Sequence, residues 1–268
     1  LIYCSISGYG HGGLEAWSKR PGYDIVIQGM GGIQGLTGFS DGPPVKVGTS
    51  IADLVTGMLA TQGILLALIA RGRTGLGQKV DISMLDGQVG LLTYHAGIYF
   101  ATGEIPTRRG NAHPSITPYQ TYRCKDGYLN LGVANDKLWA SFIKAAGDPA
   151  FGHDPRFEDN SARVANRDAL AELMDPLMAT RTVAEWAQAL DEAGIPSGPI
   201  HTLKDVLEHP QVKAREMVVS RPHPTVGEVR VTGVPIKLSE TPGEVGAAPP
   251  TLGQHTANIL KELGIGEN

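Results

Sequence analysis

The chain has 268 residues, 41% of them hydrophobic and 19% charged, and its 23 Lys and Arg against 27 Asp and Glu give a net charge of −4. That length calls for one large or two modest domains, and the apolar content excludes wholesale disorder. No basic stripe is present, which excludes a nucleic-acid footprint.

Residues 2–6 read as a strand, and GYGHGG follows at once. Gly8, Gly10 and Gly13 satisfy the dinucleotide pattern G-x-G-x-x-G. Only a short helical pattern precedes Pro21, and no acid stands roughly 20 residues on, so the context favours a flexible loop at a strand's carboxyl end. LIYCSIS opens without an initiator Met, and the expectation is that the beginning of a larger protein is absent.

RPGYDIVIQGMGGIQGLTG carries Gly29, Gly31, Gly32, Gly35 and Gly38, dense enough to let backbones approach each other or a ligand closely. DGPPV is turn chemistry, and VGTSIADLVTGMLATQGILLALIA (47–70) follows as the central helix. From 54 to 70 it has no ionisable side chain and is apolar on nearly every side, which predicts burial inside a domain. Thr56, Gly57, Thr61, Gln62 and Gly63 dilute it too much for a membrane span, so no membrane partner is expected. Ser50 is the expected N-cap, and Asp53 completes the pattern of a capping box. Thr56, Gly57 and Ala60, all small, share the face of Asp53. Asp53 therefore has two readings: a cap complementing the helix dipole, or a carboxylate beside space kept for a ligand.

KVDISM (79–84) is predicted as a buried strand and 85–101 as a second apolar helix. GEIPTRRGNAHPSITP (103–118) suppresses regular structure and reads as a linker or functional loop. YQTYRCKDGYLNLGVA is a hairpin turning at 125–127. From 135 to 217 the pattern is helical, with segments beginning near Asp136, Ser161, Thr182 and Thr202. EVRVTGVPIKL (228–238) returns to strand alternation, and a closing helix over 255–263 ends at Gly264.

The eight histidines and two cysteines form no metal-ligand spacing, so no metal is expected. Cys4 and Cys124 read as ordinary thiols of a reducing compartment, expected to be the cytoplasm. No G-x-S-x-G elbow or Walker loop is present. By its residues alone this is a soluble α/β protein with a ligand cleft.

RPGYDIVIQGMGG, DGPPVKVGTSIADLVTG and ARGRTGLGQKVDISMLDG resemble core segments of the family III CoA-transferases, the group related to formyl-CoA transferase. RRGNAHPSITPYQ, DPRF, RTVAEWAQALDEAGIPSGPI, HPQVKAREMV and PPTLGQHTANILKELG continue the resemblance in order to the end of the chain. It implies an α/β fold with a Rossmann-like parallel-sheet large domain, lacking its N-terminal βαβ units, plus a small mainly helical α+β domain. The implied boundaries are 1–102 for the remaining large domain, 103–118 for a linker, 119–205 for the small domain and 206–268 for a linker and C-terminal return. It also implies an interlocked homodimer, for which 103–118 is long enough to serve as the crossing.

The resemblance makes Asp53 the nucleophile of an acyl-CoA:carboxylate CoA-transferase, working through an aspartyl anhydride and an aspartyl-CoA thioester. Its partners would be an acyl-CoA and a small carboxylic acid, with coenzyme A part of the substrate rather than a bound cofactor. Gly22, Tyr23 and Asp24 resemble the stretch along the CoA arm, although Tyr23 also reads as a half-buried structural aromatic. Met84 matches a residue near the pantetheine, or is plain core. GNAHPSI replaces formyl-CoA transferase's glycine-rich loop and so does not favour oxalate or formate; Asn111 and His113 there are candidates to touch the acceptor acid, or solvent-facing loop residues. Related racemases of 2-methylacyl-CoA pair a His with the Asp, but that place holds Tyr23, a poor base at neutral pH. The alternatives are such a racemase, or a non-catalytic fragment needing a separate N-terminal part.

Overall fold

The computed structural model describes residues 1–265; residues 266–268, the end of the expected C-terminal return, lie outside the described residues. The chain divides into two compact units, Leu1–Gly198 and residues 199 onward. The fold is mixed α/β, with a parallel strand pair in the first unit.

β1 (Tyr3–Ser7) and β2 (Lys79–Ser83) pair parallel, from Tyr3 opposite Lys79 to Ser7 opposite Ser83. Parallel neighbours need a crossover. Here it carries α1 (Glu15–Ser18), α2 (Asp24–Met30), α3 (Ile33–Leu36) and the long α4 (Ile51–Thr74). A Cβ on Gly63 would lie 2.6 Å from Val80 Cγ1, so α4 can press against β2 only with glycine there. α4 stops at Gly75, whose left-handed backbone (φ 72°) lets its N–H donate to Arg71 O at 2.8 Å.

The expected all-round burial of α4 is not what the chain provides. Its buried face is the small stripe Ala52, Thr56, Ala60 and Ala67, while Met58 and Leu66 are 61% and 66% exposed. Small side chains let β2 and the next helix approach closely, whereas the large ones on the far side have no cover among the described residues. Hydropathy is nearly uniform around this helix, so the sequence could not distinguish its two sides. α4 is long and apolar enough to cross a membrane by length and composition, with a mean hydropathy of 1.7. β2 also departs from the buried strand expected, since Ser83 alone among its residues is buried.

The helix expected over 85–101 is two helices, α5 (Met84–Gly90) and α6 (Thr93–Thr102). Thr93 takes a left-handed φ of 39° at the break, and Leu92 packs on Gly32. A Cβ on Gly31 would collide with the Gln88 side chain. The glycine pair thus seats the α2–α3 turn in the α5–α6 break.

After the irregular stretch 103–118, β3 (Tyr119–Arg123) and β4 (Tyr128–Gly132) form the predicted hairpin, and β5 (Ser197–Pro199) joins β4 at the unit boundary. α7 (Asp136–Ala145), α8 (Asn160–Ala165), α9 (Arg167–Met178) and α10 (Val183–Glu192) supply the helices. Thr182 and Glu185 form the capping box read from the sequence. Phe142, Phe157, Met174 and Trp186 are fully buried in one core, each contributing roughly 1.5–3 kcal/mol of apolar burial. A second, smaller cluster joins Ile27, Ala52 and Met84.

The second unit holds α11 (Leu203–Glu208), α12 (Pro210–Ala214), the antiparallel pair β6 (Val218–His223) and β7 (Gly227–Thr232), and α13 (Thr256–Glu262). The strand predicted over 228–238 is confined to β7, and its partner β6 went unpredicted beside a helical pattern.

Candidate functional site

The N-terminus of α4 is built differently from the capping box expected. Ser50 occupies the N-cap but its side chain makes no capping bond. Asp24 reaches over from α2 instead, and its Oδ1 accepts the N–H of Ala52 at 3.0 Å. Its Oδ2 accepts from Gln28 Nε2 at 2.8 Å, and Gln28 Oε1 accepts the N–H of Val47 at 2.8 Å. Gln28 is completely buried, so this bridge is shielded from water. Both oxygens of Asp24 are therefore occupied in holding the helix entry.

That arrangement releases Asp53. Its carboxylate is exposed and has no hydrogen-bond or ion-pair partner among the described residues. The group stands at an open surface among the described residues, one residue from an amide that another side chain already satisfies. The macrodipole there, equivalent to about half a positive charge, attracts anionic groups. Of its small neighbours, Thr56 and Ala60 are buried, and Gly57 faces open space with nothing within 4 Å of an added Cβ.

Gly22, Asp24 and Met84 come together around this helix entry. Met84 is 7% exposed and packs with Ile27 and Ala52, with Tyr9 against them, so it forms the floor beneath Asp53's neighbour. A Cβ on Gly22 would lie 2.7 Å from Gly8 Cα. This backbone crossing explains Gly8, and α1 is only four residues long, so GYGHGG does not build a dinucleotide-binding turn. Tyr23 is 75% exposed, which corrects its reading as a half-buried aromatic.

Asn111 and His113 belong to a separate cluster, with no hydrogen bond or ring contact to Asp53 among the described residues. His113 lies between Tyr94 and Tyr119, tilted by 37° to the first and edge-on to the second, each at 5.3 Å between centroids, and the Tyr94 ring centroid lies 4.5 Å from that of His95. Burial lowers the pKa of His95 below its ordinary value. Burial, then Arg167, then His95 lower that of His113. Arg167 donates to His113 O at 2.8 Å and Pro114 O at 2.9 Å, while Arg163 Nε donates to Thr117 O at 2.9 Å. On the other side Gly110 N–H donates to Gly38 O at 2.9 Å, and Arg108 Nη2 to Gly42 O at 2.8 Å. Much of 103–118 is thus a clamped loop. Sequence reasoning missed Gln28, Tyr94, His95, Arg109 and Arg167; the one available signal was His95, the sole imidazole within the apolar stretch 85–101.

Among the described residues, no group of three or more His, Cys, Asp or Glu is placed to hold a metal ion. The family model of the CoA-transferase family III matches residues 1–256. The chain belongs to this family. Succinyl-CoA:glutarate CoA-transferase of Mus musculus is 40% identical over 98% of the chain and 60% of its own length. Acetyl-CoA:oxalate CoA-transferase of Acetobacter aceti is 37% identical over 100% of the chain and 67% of its own length. The crystal structure of a CaiB/BaiF family protein from Brucella suis superposes with a TM-score of 0.83 at 41% identity, covering 98% of this chain and 68% of that one. The chain spans about 60% of the length of the first curated relatives it matches.

Proposed function

We propose that this chain carries the acyl-transfer centre of an acyl-CoA:carboxylate CoA-transferase, with Asp53 as the nucleophile. The observation that supports this most is the division of labour at the entry to α4: Asp24 caps the helix, and Asp53 is left exposed and unpartnered. A carboxylate held only for capping would be spent on its own backbone.

In this reading an Asp53 carboxylate oxygen attacks the thioester carbonyl, the C–S bond breaks, and CoA leaves as thiolate from a mixed anhydride. The thiolate then attacks the aspartyl carbonyl, the donor acid departs with the bridging oxygen, and an aspartyl-CoA thioester remains. The acceptor carboxylate attacks that thioester, giving a second anhydride and free thiolate. Attack of the thiolate on the acceptor's carbonyl forms the new acyl-CoA and restores Asp53. No proton is consumed, and one hard exchange becomes several easier steps. In the first turn of α4 the N–H groups of Ile51, Ala52 and Leu54 are bonded, so the Asp53 N–H is the amide suited to stabilise a developing oxyanion, and Gly57 leaves room for the acyl group. Gly22, Tyr23 and Met84 would lie along the CoA arm, Asp24 would hold the helix entry beside it, and Asn111 and His113 would serve the acceptor.

An anhydride at an exposed Asp53 would hydrolyse, so the whole enzyme must exclude water there. The reading assigns that cover to the rest of an interlocked homodimer in the cytoplasm, and the exposed face of α4 supports it. No histidine accompanies Asp53 at position 23, so the racemase alternative gains nothing. Incubation with acyl-CoA and hydroxylamine tests the proposal: an Asp53 hydroxamate is expected in the wild type, and its absence there refutes the nucleophile.

A further inference from the structure

Two residues of α2 are buried, Ile27 and Gln28, and Ile27 alone packs with the apolar cluster at Ala52 and Met84. Burying an amide is costly unless its polar atoms are paired, and an apolar side chain of equal size would fill the place without that cost. The amide at position 28 therefore has to be explained by what it bonds. Gln28 Oε1 accepts the N–H of Val47 at 2.8 Å, and Nε2 donates to Asp24 Oδ2 at 2.8 Å. Asp24 Oδ1 accepts the N–H of Ala52 at 3.0 Å. A backbone N–H can only donate, so Oε1 must face Val47 and Nε2 must face Asp24. Three bonds in series thus tie Val47 to Ala52 through α2, closing a ring around the turn that leads into α4.

That turn has little else to hold it. Residues 48–50 are exposed, and a Cβ added to Gly48 would meet nothing within 4 Å. The Ser50 side chain makes no capping bond. The other side-chain bonds to this backbone come from within a few residues: Lys46 Nζ donates to Val47 O at 3.0 Å, and Thr56 Oγ1 to Ala52 O at 2.6 Å. A glycine in the middle gives such a turn many backbone conformations to choose among. Gln28 removes that freedom at one end and Asp24 at the other, and the residue after Ala52 is Asp53.

We propose that Gln28 is a positioning residue of acyl transfer, which fixes through Val47 and Asp24 the turn that aims the Asp53 carboxylate. This rests on the transferase reading above and adds a fully buried group that acts without touching the acyl-CoA. Loss of the tie leaves the nucleophile present but loosely aimed, and about 1 Å of misplacement can cost roughly 100-fold in rate. Binding of the acyl-CoA does not depend on the direction of that one carboxylate and stays as it was.

Hydroxylamine trapping of Asp53 over a series of succinyl-CoA concentrations tests it in the wild type, in Gln28→Met, and in the double exchange Asp24→Asn with Gln28→Glu. The double exchange keeps all three bonds. Its introduced carboxylate accepts from the Val47 N–H and from the introduced amide, whose oxygen accepts from Ala52. Circular dichroism reports folding, and hydrogen exchange over 47–53 reports the turn. Gln28→Met should lower the saturating trapping rate by about 10- to 100-fold, leave the half-saturating concentration unchanged, and speed exchange over 47–53. The double exchange should recover most of the rate and of the protection. Should Gln28→Met not fold, Gln28→Asn takes its place, being one methylene too short to reach both partners. An unchanged rate in the folded variant, a change confined to the half-saturating concentration, or a double exchange no faster than the single one overturns the proposal. Wild-type trapping with such a result sinks the positioning claim alone. No trapping in the wild type sinks the transferase reading, and unchanged exchange over 47–53 in the single variant then sinks the tie as well.

Discussion

Asp24 Oδ1 accepts the N–H of Ala52 at 3.0 Å, so the first turn of one helix is capped by a side chain from another. The bond satisfies an orphan amide at the residue just before Asp53, and it ties α2 to α4 at the point where both begin. Asp24→Ala removes this cap and strips the Nε2 of buried Gln28 of its acceptor. A loss of about 1–3 kcal/mol is expected, against no more than a few tenths for Ser50→Ala, whose side chain caps nothing. Urea unfolding of the two variants decides between them.

Glycine at two positions has opposite consequences. Gly22→Ala would place Cβ 2.7 Å from Gly8 Cα, backbone against backbone, and is expected to destabilise by more than about 1 kcal/mol. Gly57→Ala meets nothing within 4 Å in the interior of α4 and should stabilise by about 0.5–1 kcal/mol. Thermal unfolding should therefore move in opposite directions for the same chemical change.

Acid should weaken the fold in two windows. His95 and His113 have folded pKa values below their ordinary 6.5, chiefly through burial. The unfolded chain then binds protons that the folded one does not, so their contribution is whole above pH 6.5 and falls away as the pH drops through the folded values. Glu185 and Asp205, held low by hydrogen bonds within their capping boxes, add a loss below their ordinary 4.5 and 3.8. His95→Gln with His113→Gln should flatten the upper window in a melting series against pH and leave the lower one.

Local signals in the sequence were faithful where the cause is local. Thr182 with Glu185, the turn before Gly127 and the stop at Gly264 each depend on neighbours within a few residues, and each was legible. The capping of α4 was misread because its true cap, Asp24, is 28 residues away from Ala52. α2 and α3 were hidden by glycines whose purpose is contact with Gln88 and Leu92, partners far along the chain. β6 was lost beside a helical pattern because its pairing with β7 decides it. Asp53 was found through family resemblance, since its own surroundings read equally as a cap. The ring wall at His95 was invisible because loop residue His113 meets it only through the clamp of Arg167 and Arg108.

Oxygen exchange tests the role of Asp53 most directly. With acceptor acid labelled by 18O in its carboxylate, the first anhydride carries one Asp53 oxygen away in the donor acid and the second leaves one labelled oxygen on the enzyme in each cycle. The peptide containing Asp53 should gain about 2 Da after a turnover, and the peptide containing Asp24 should gain nothing. New acyl-CoA formed with no label on the Asp53 peptide would contradict the account.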